Sequence, residues 1–165
     1  MAEEMNEVER RQGRQLISIL VPCYNEEAVL HEFYRRTAAV IDGISAYDFQ
    51  FMFVNDGSKD GTLSIMHELR EKDDRVSYVN LSRNFGKEIA MTAGIDYLTG
   101  DAAIIMDADL QDPPELIPEM ISWWEKGYQD VSAKRRSRAG ETFFKKWSSH
   151  AFYTICKTFQ CAHAA

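Results

Sequence analysis

Four short apolar runs, each followed by a polar, turn-rich junction and then by a stretch of helical spacing, constrain this chain more than any other feature. The runs are "LISILV" at 16–21, ended by Pro22, "FQFMFVN" at 49–55, "VSYVNL" at 76–81 and "AAIIM" at 102–106. All are continuous rather than alternating, the pattern of parallel strands covered on both faces. Helical spacing predicts helices over 26–41, with Val29, Leu30, Phe33, Ala38 and Val40 apolar, and over 60–73, with Leu63, Met66 and Leu69 on one stripe and Asp60 as cap. A third helix is predicted over 86–98, stopping near Gly100, and a fourth over 115–126, entered through Pro114 and ended by Gly127. "DVSAK" at 130–134 reads as a weaker fifth strand and 142–159 as a last helix. Strands separated by helices in this order predict an α/β fold, a mostly parallel sheet with helices on both faces.

At 165 residues the chain has room for one ordinary domain. Residues 1–15 read as a polar leader without a signal-peptide core, 16–160 as the domain and 161–165 as a tail. The net charge of −7 argues against nucleic acid as a partner. Three cysteines, Cys23, Cys156 and Cys161, show no metal-type pairing and fit a reducing, cytoplasmic environment. No apolar run approaches the ~18 residues of a membrane span.

In open α/β sheets ligands gather at the carboxyl ends of the strands, so the four junctions hold the chemistry. "MDADLQDPPE" places Asp107 and Asp109 two apart behind a strand, on one face of an extended segment. Two such carboxylates raise each other's pKa unless a cation offsets them, and Mg²⁺ or Mn²⁺ takes carboxylates together with phosphate oxygens. Gln111 offers a further neutral oxygen, whereas Asp112 reads as a helix cap. In "VNDGSKDGT", Asp56 precedes Gly57, first of all a turn signal, though the acid also stands where a base or ribose could donate to it. "VPCYNEE" offers Tyr24, Asn25 and Glu26 either to a planar base or to packing and helix capping. "SRNFGKE" sets Arg83 and Lys87 about Gly86 near a helix start, a phosphate pocket or a solvated basic turn; its spacing is not that of a Walker loop.

Beyond these lies "KRRSRAGETFFKKW", six cations against the single acid Glu141. An amphipathic stripe of Phe144, Trp147, Ala151, Ile155 and Phe159 follows. Such a segment either docks on the core as an ordinary surface helix or meets an anionic membrane surface or lipid phosphate.

Taken jointly and in order, "VPCYNEE", "VNDGSKDGT", "SRNFGKEIAMTAG" and "MDADLQDPPE" resemble the catalytic domain of the family 2 glycosyltransferases. "RRSRAGETFFKKWSSHAFY" resembles the branch of dolichol-phosphate mannose synthase and the bacterial polyprenyl-phosphate glycosyltransferases. The resemblance covers about 16–159 and implies a Rossmann-like GT-A domain acting on a nucleotide-diphosphate sugar, a UDP-sugar favoured. By motif match, Pro22, Tyr24, Asn25, Glu26, Asp56, Arg83, Lys87 and Asp107 would bind the nucleotide, and Asp107, Asp109 and Gln111 would hold Mg²⁺ or Mn²⁺. Asp109, Arg135 and Arg138 would carry catalysis, the two arginines holding a lipid-phosphate acceptor at the inner face of the cytoplasmic membrane. Relatives usually continue past the last helix with a "GDFRL"-like segment, so the chain reads as a C-terminally truncated member. Two alternatives stand beside this reading: a vestigial domain that binds nucleotide-sugar without transfer, and a nucleotidyltransferase. The second is disfavoured by "PCYNEE" where a glycine-rich loop is expected.

Overall fold

In the computed structural model the described residues are 13–133. They form four strands, β1 (Leu16–Cys23), β2 (Asp48–Asn55), β3 (Val76–Asn80) and β4 (Ala102–Ile105). Four α-helices accompany them: α1 (Leu30–Asp42), α2 (Thr62–Lys72), α3 (Lys87–Ile95) and α4 (Ile117–Glu125), the last preceded by a 3₁₀ turn, Pro114–Leu116. The strands make one parallel sheet of order β3-β2-β1-β4. The order reverses between β1 and β4, leaving a crevice there at the carboxyl ends.

Period-two geometry divides β1 between two cores. Ile17, Ile19, Val21 and Cys23 face one side, where Leu30, Phe33 and Ile41 of α1, Met66 and Leu69 of α2, and Ile117 and Ile121 of α4 cover them. Phe33, Phe51 and Phe53 are fully buried there, each contributing roughly 1.5–3 kcal/mol. Leu20, Met52 and Val54 face the other side, against Ala90 of α3. The α3 backbone rides close to the sheet because Ala90 and Gly94 are small; a Cβ on Gly94 would lie 2.3 Å from a Leu20 methyl.

Several expectations shift. Pro22 lies within β1, paired in register with Val54, rather than ending it. Residues of a parallel strand bond alternately left and right; Leu20 O accepts from Met106 N–H while Cys23 O accepts from Asp56 N–H. Pro22 shares the parity of Leu20, so its missing donor faces the side where β4 has already ended. Helix α1 starts at Leu30 rather than 26, after a turn in which Glu26 O accepts from Val29 and Leu30 N–H; Glu26 N–H bonds Thr62 Oγ1 (2.8 Å) and Glu27 N–H bonds Asp60 Oδ2 (3.1 Å), capping that turn. In α2 it is Ile65, with Met66 and Leu69, that is buried, and Leu63 is half-buried. The buried fourth strand proves to be exposed on one face, with Ala103 and Ile105 open to solvent. Asp130–Ala133 of the expected fifth strand is irregular: Ser132 Oγ turns back to Asp130 Oδ1 (3.4 Å), a local bond that competes with a ladder. Lys134 and the helix over 142–159 lie outside the described residues. The first compact unit ends at Tyr128 and a second begins at Gln129.

Candidate active site

A cleft of about 270 Å³ opens at the β1/β4 switch point. Its walls come from the end of β1 (Pro22, Tyr24, Glu26), the end of β4 (Asp107, Asp109) and the start of α3 (Lys87), with Asp56 beneath. Seven residues singled out in the sequence thus share one cavity. Asn25, Arg83 and Gln111 stand off its wall, and Arg135 and Arg138 lie outside the described residues.

Asp56 is buried at the end of β2, and its two oxygens accept the N–H groups of Phe85 (2.7 Å) and Gly86 (2.9 Å). Its carboxyl group thus caps the loop that leads into α3, taking two backbone donors just before the helix starts at Lys87. Gly57 makes the contact possible. With φ +64, it leaves no Cβ where the Arg83 backbone carbon would stand 2.3 Å away.

Asn25 takes a left-handed backbone (φ 57), donates its N–H to Ser58 Oγ (2.9 Å) and accepts Lys59 N–H at its side-chain oxygen (2.8 Å). This side chain ties two loops together instead of lining the cleft. Arg83 is exposed, with its guanidinium 4.3 Å from the centre of the Phe85 ring. Cys23 lines the cleft unforeseen; burial, then Glu26 and Asp107, push its thiol pKa up, so it stays protonated. Asn84 also lines the cleft, and its position in "SRNFGKE" was the signal available for it.

The acidic pair is arranged around buried Ala108, with Asp107 half-buried and Asp109 exposed. Lys87 Nζ meets both Asp107 oxygens, at 2.5 and 2.8 Å. Asp109 Oδ1 accepts Gln111 N–H (3.0 Å), closing a tight loop in which Leu110 is left-handed (φ 59). Glu26 adds a third carboxylate, and burial, Asp109, Asp107 and Asp60 in that order raise its pKa above the ordinary 4.5. Among the described residues no three His, Cys, Asp or Glu side chains converge as a ready metal cage. The donor set still fits a hard divalent ion, which takes one or two carboxylates and draws its other oxygens from phosphate and water.

A parallel sheet with an acidic cleft at its switch point defines an open α/β protein whose chemistry is built from strand ends. The chain belongs to glycosyl transferase family 2, whose family model matches residues 18–164. It is 52% identical over 138 residues to the glycosyltransferase YkcC of Bacillus subtilis (strain 168), and 42% identical over 139 residues to the bactoprenol glucosyl transferase of Shigella phage SfX. Each match covers 84% of this chain, and the chain spans 42% and 45% of those relatives' lengths. The GT-A fold is shared with a Pyrobaculum calidifontis mannosyltransferase solved with GDP-Man and Mn²⁺. That likeness has a TM-score of 0.55 at 23% identity, over 67% of this chain and 32% of the other.

Proposed function

We propose that this chain forms the donor side of a metal-dependent glycosyltransferase that moves a sugar from a nucleotide-diphosphate sugar to a polyprenyl phosphate. The observation that carries this reading is the convergence of Glu26, Asp56, Lys87, Asp107 and Asp109 on one cleft at the β1/β4 switch point. Asp107 and Asp109 would hold Mg²⁺ or Mn²⁺; a bound ion there offsets charge on the leaving diphosphate. Tyr24 and Pro22 offer an aromatic and an apolar wall to a base, and Asp56 keeps the loop carrying Lys87 in place.

The acceptor phosphate is already an anion. Its oxygen attacks the anomeric carbon, the bond from that carbon to the diphosphate breaks, and the nucleoside diphosphate leaves with the electron pair. No proton need be removed, so the protein's work is positioning and charge stabilisation. Arg135 and Arg138 are proposed to hold the acceptor phosphate, on the strength of the branch resemblance and the local excess of cations. The likeness to a bactoprenol glucosyl transferase favours a glucosyl-type donor and a lipid acceptor. A UDP-sugar is the favoured donor, and an acceptor of that kind brings the protein to the inner face of the membrane. None of the described helices is long and apolar enough to cross one.

Calorimetric titration with UDP and GDP, each with and without Mn²⁺, tests the donor site. Metal-dependent binding of UDP that Asp109→Asn reduces at least tenfold is expected. Absence of metal-dependent binding of either nucleotide would refute the reading. Binding without sugar transfer to undecaprenyl phosphate would leave a nucleotide-sugar-binding domain in place of a transferase.

A further inference from the structure

Among the described residues that line the cleft, Lys87 is the only cation, and it faces four carboxylates, Glu26, Asp56, Asp107 and Asp109. It spends its charge on the acid that a metal would also need, touching both oxygens of Asp107. Its main chain is fixed, because the N–H groups of Phe85 and Gly86 just before it are clamped by Asp56. Its side chain is half-exposed (51%) and has room to swing. A pair of this kind, fixed at the root and mobile at the tip, holds only while neither member finds a better partner.

From this we infer that Lys87 couples the two ligands of the cleft, guarding Asp107 until a diphosphate arrives. The inference rests on the donor-site reading above. In the ligand-free protein the ammonium group offsets Asp107, so a divalent ion arriving alone must strip that pair and lie beside a positive charge. A diphosphate arriving first offers the ammonium new oxygens within reach of the same α3 start. Lys87 then lets Asp107 go, and the freed carboxylate is available to the cation. The pair is broken once for two ligands rather than once for each, which makes their binding mutually favourable. By linkage, the factor by which nucleotide tightens metal equals the factor by which metal tightens nucleotide. Lys87 is thus a positioning residue that keeps bare metal out of a strongly acidic cleft.

The test is Mn²⁺ binding followed by the electron paramagnetic resonance signal of the free ion, with and without UDP, in the wild type, Lys87→Met, Lys87→Gln and Lys87→Arg. In the wild type, UDP is expected to tighten Mn²⁺ binding by a factor within about 5 to 150. Lys87→Met and Lys87→Gln are expected to tighten Mn²⁺ binding without nucleotide, by roughly fivefold, and to shrink the UDP effect several-fold. Lys87→Arg, which keeps the charge, retains most of the coupling. Wild-type coupling persisting undiminished in the Met and Gln variants, with unchanged affinity for Mn²⁺ alone, overturns the inference and leaves the donor site standing. No UDP-dependent Mn²⁺ binding in the wild type, together with no metal-dependent GDP binding in the calorimetric titration, overturns the donor-site reading and this inference with it.

Discussion

At Asp56 and Gly57 two adjacent residues fix the floor of the cleft by different means. The acid supplies charge-assisted bonds to two backbone N–H groups, and the glycine supplies the absence of a side chain. An Asp-Gly pair read from sequence is a turn signal, and that reading is correct for φ +64 at Gly57. What it lacks is the reason no other residue fits, which is the backbone of 83–84 pressed against the missing Cβ. Gly57→Ala meets both a left-handed backbone and a contact that cannot yield. It is expected to cost about 2 kcal/mol or more, read as a lowered urea midpoint with unchanged slope. Asn25 and Leu110 hold the same left-handed backbone without being glycine, and both flank the cleft's acids.

Among the elements, one hydrogen-bonded knot joins α1, α2 and β3 on the side away from the cleft. Asp73, at the end of α2, accepts from Tyr34 of α1 (2.6 Å) and from Arg75 (2.9 Å), and Arg75 also reaches Asp42 at the end of α1 (2.7 Å). Burial of Asp73 opposes its charge, but the bonds from Arg75 and Tyr34 outweigh it and hold its pKa below the ordinary 3.8. An acid depressed in the folded state contributes stability above its unfolded pKa and loses it as pH falls through the folded value. Asp73→Asn should therefore cost about 1–3 kcal/mol near neutral pH, and the gap to wild type should close progressively below about pH 4. Urea titrations between pH 3 and 7 check this; a gap independent of pH would count against the charge as its source.

Across the whole molecule, the excess of acid is not spread evenly. Among the described residues, four carboxylates and one lysine line the cleft. If the donor site is as proposed, UDP and Mn²⁺ together should raise the melting temperature by more than the sum of their separate effects. With each ligand near 100 times its Kd, each alone should shift the midpoint by on the order of 5–10 °C and the two together by more than about 10–20 °C, and Asp109→Asn should abolish the synergy. A scan by differential calorimetry gives the answer directly. Among the described residues, Ile105 on β4 and Ile89, Ile95 and Tyr97 on or just after α3 are exposed.

The order of strands and helices was legible in the chain because unalternating apolar runs and helical spacing are local signals, written within a few residues of where they act. So was the gathering of polar junctions at one rim, since all strands of a parallel sheet end on the same side. What tertiary structure alone decided is which junction residues share a cavity. Asp56 lines the cleft while its oxygens accept the N–H groups of Phe85 and Gly86, whereas Asn25 stands off the cleft wall and accepts Lys59 N–H. The partner of Asp107 is twenty residues away in the chain, and the pairing follows from the 3-2-1-4 strand order that lays the start of α3 against the end of β4. A sequence gives each charge its address along the chain; the energy of a charge depends on distances across the sheet, which only the packed fold sets.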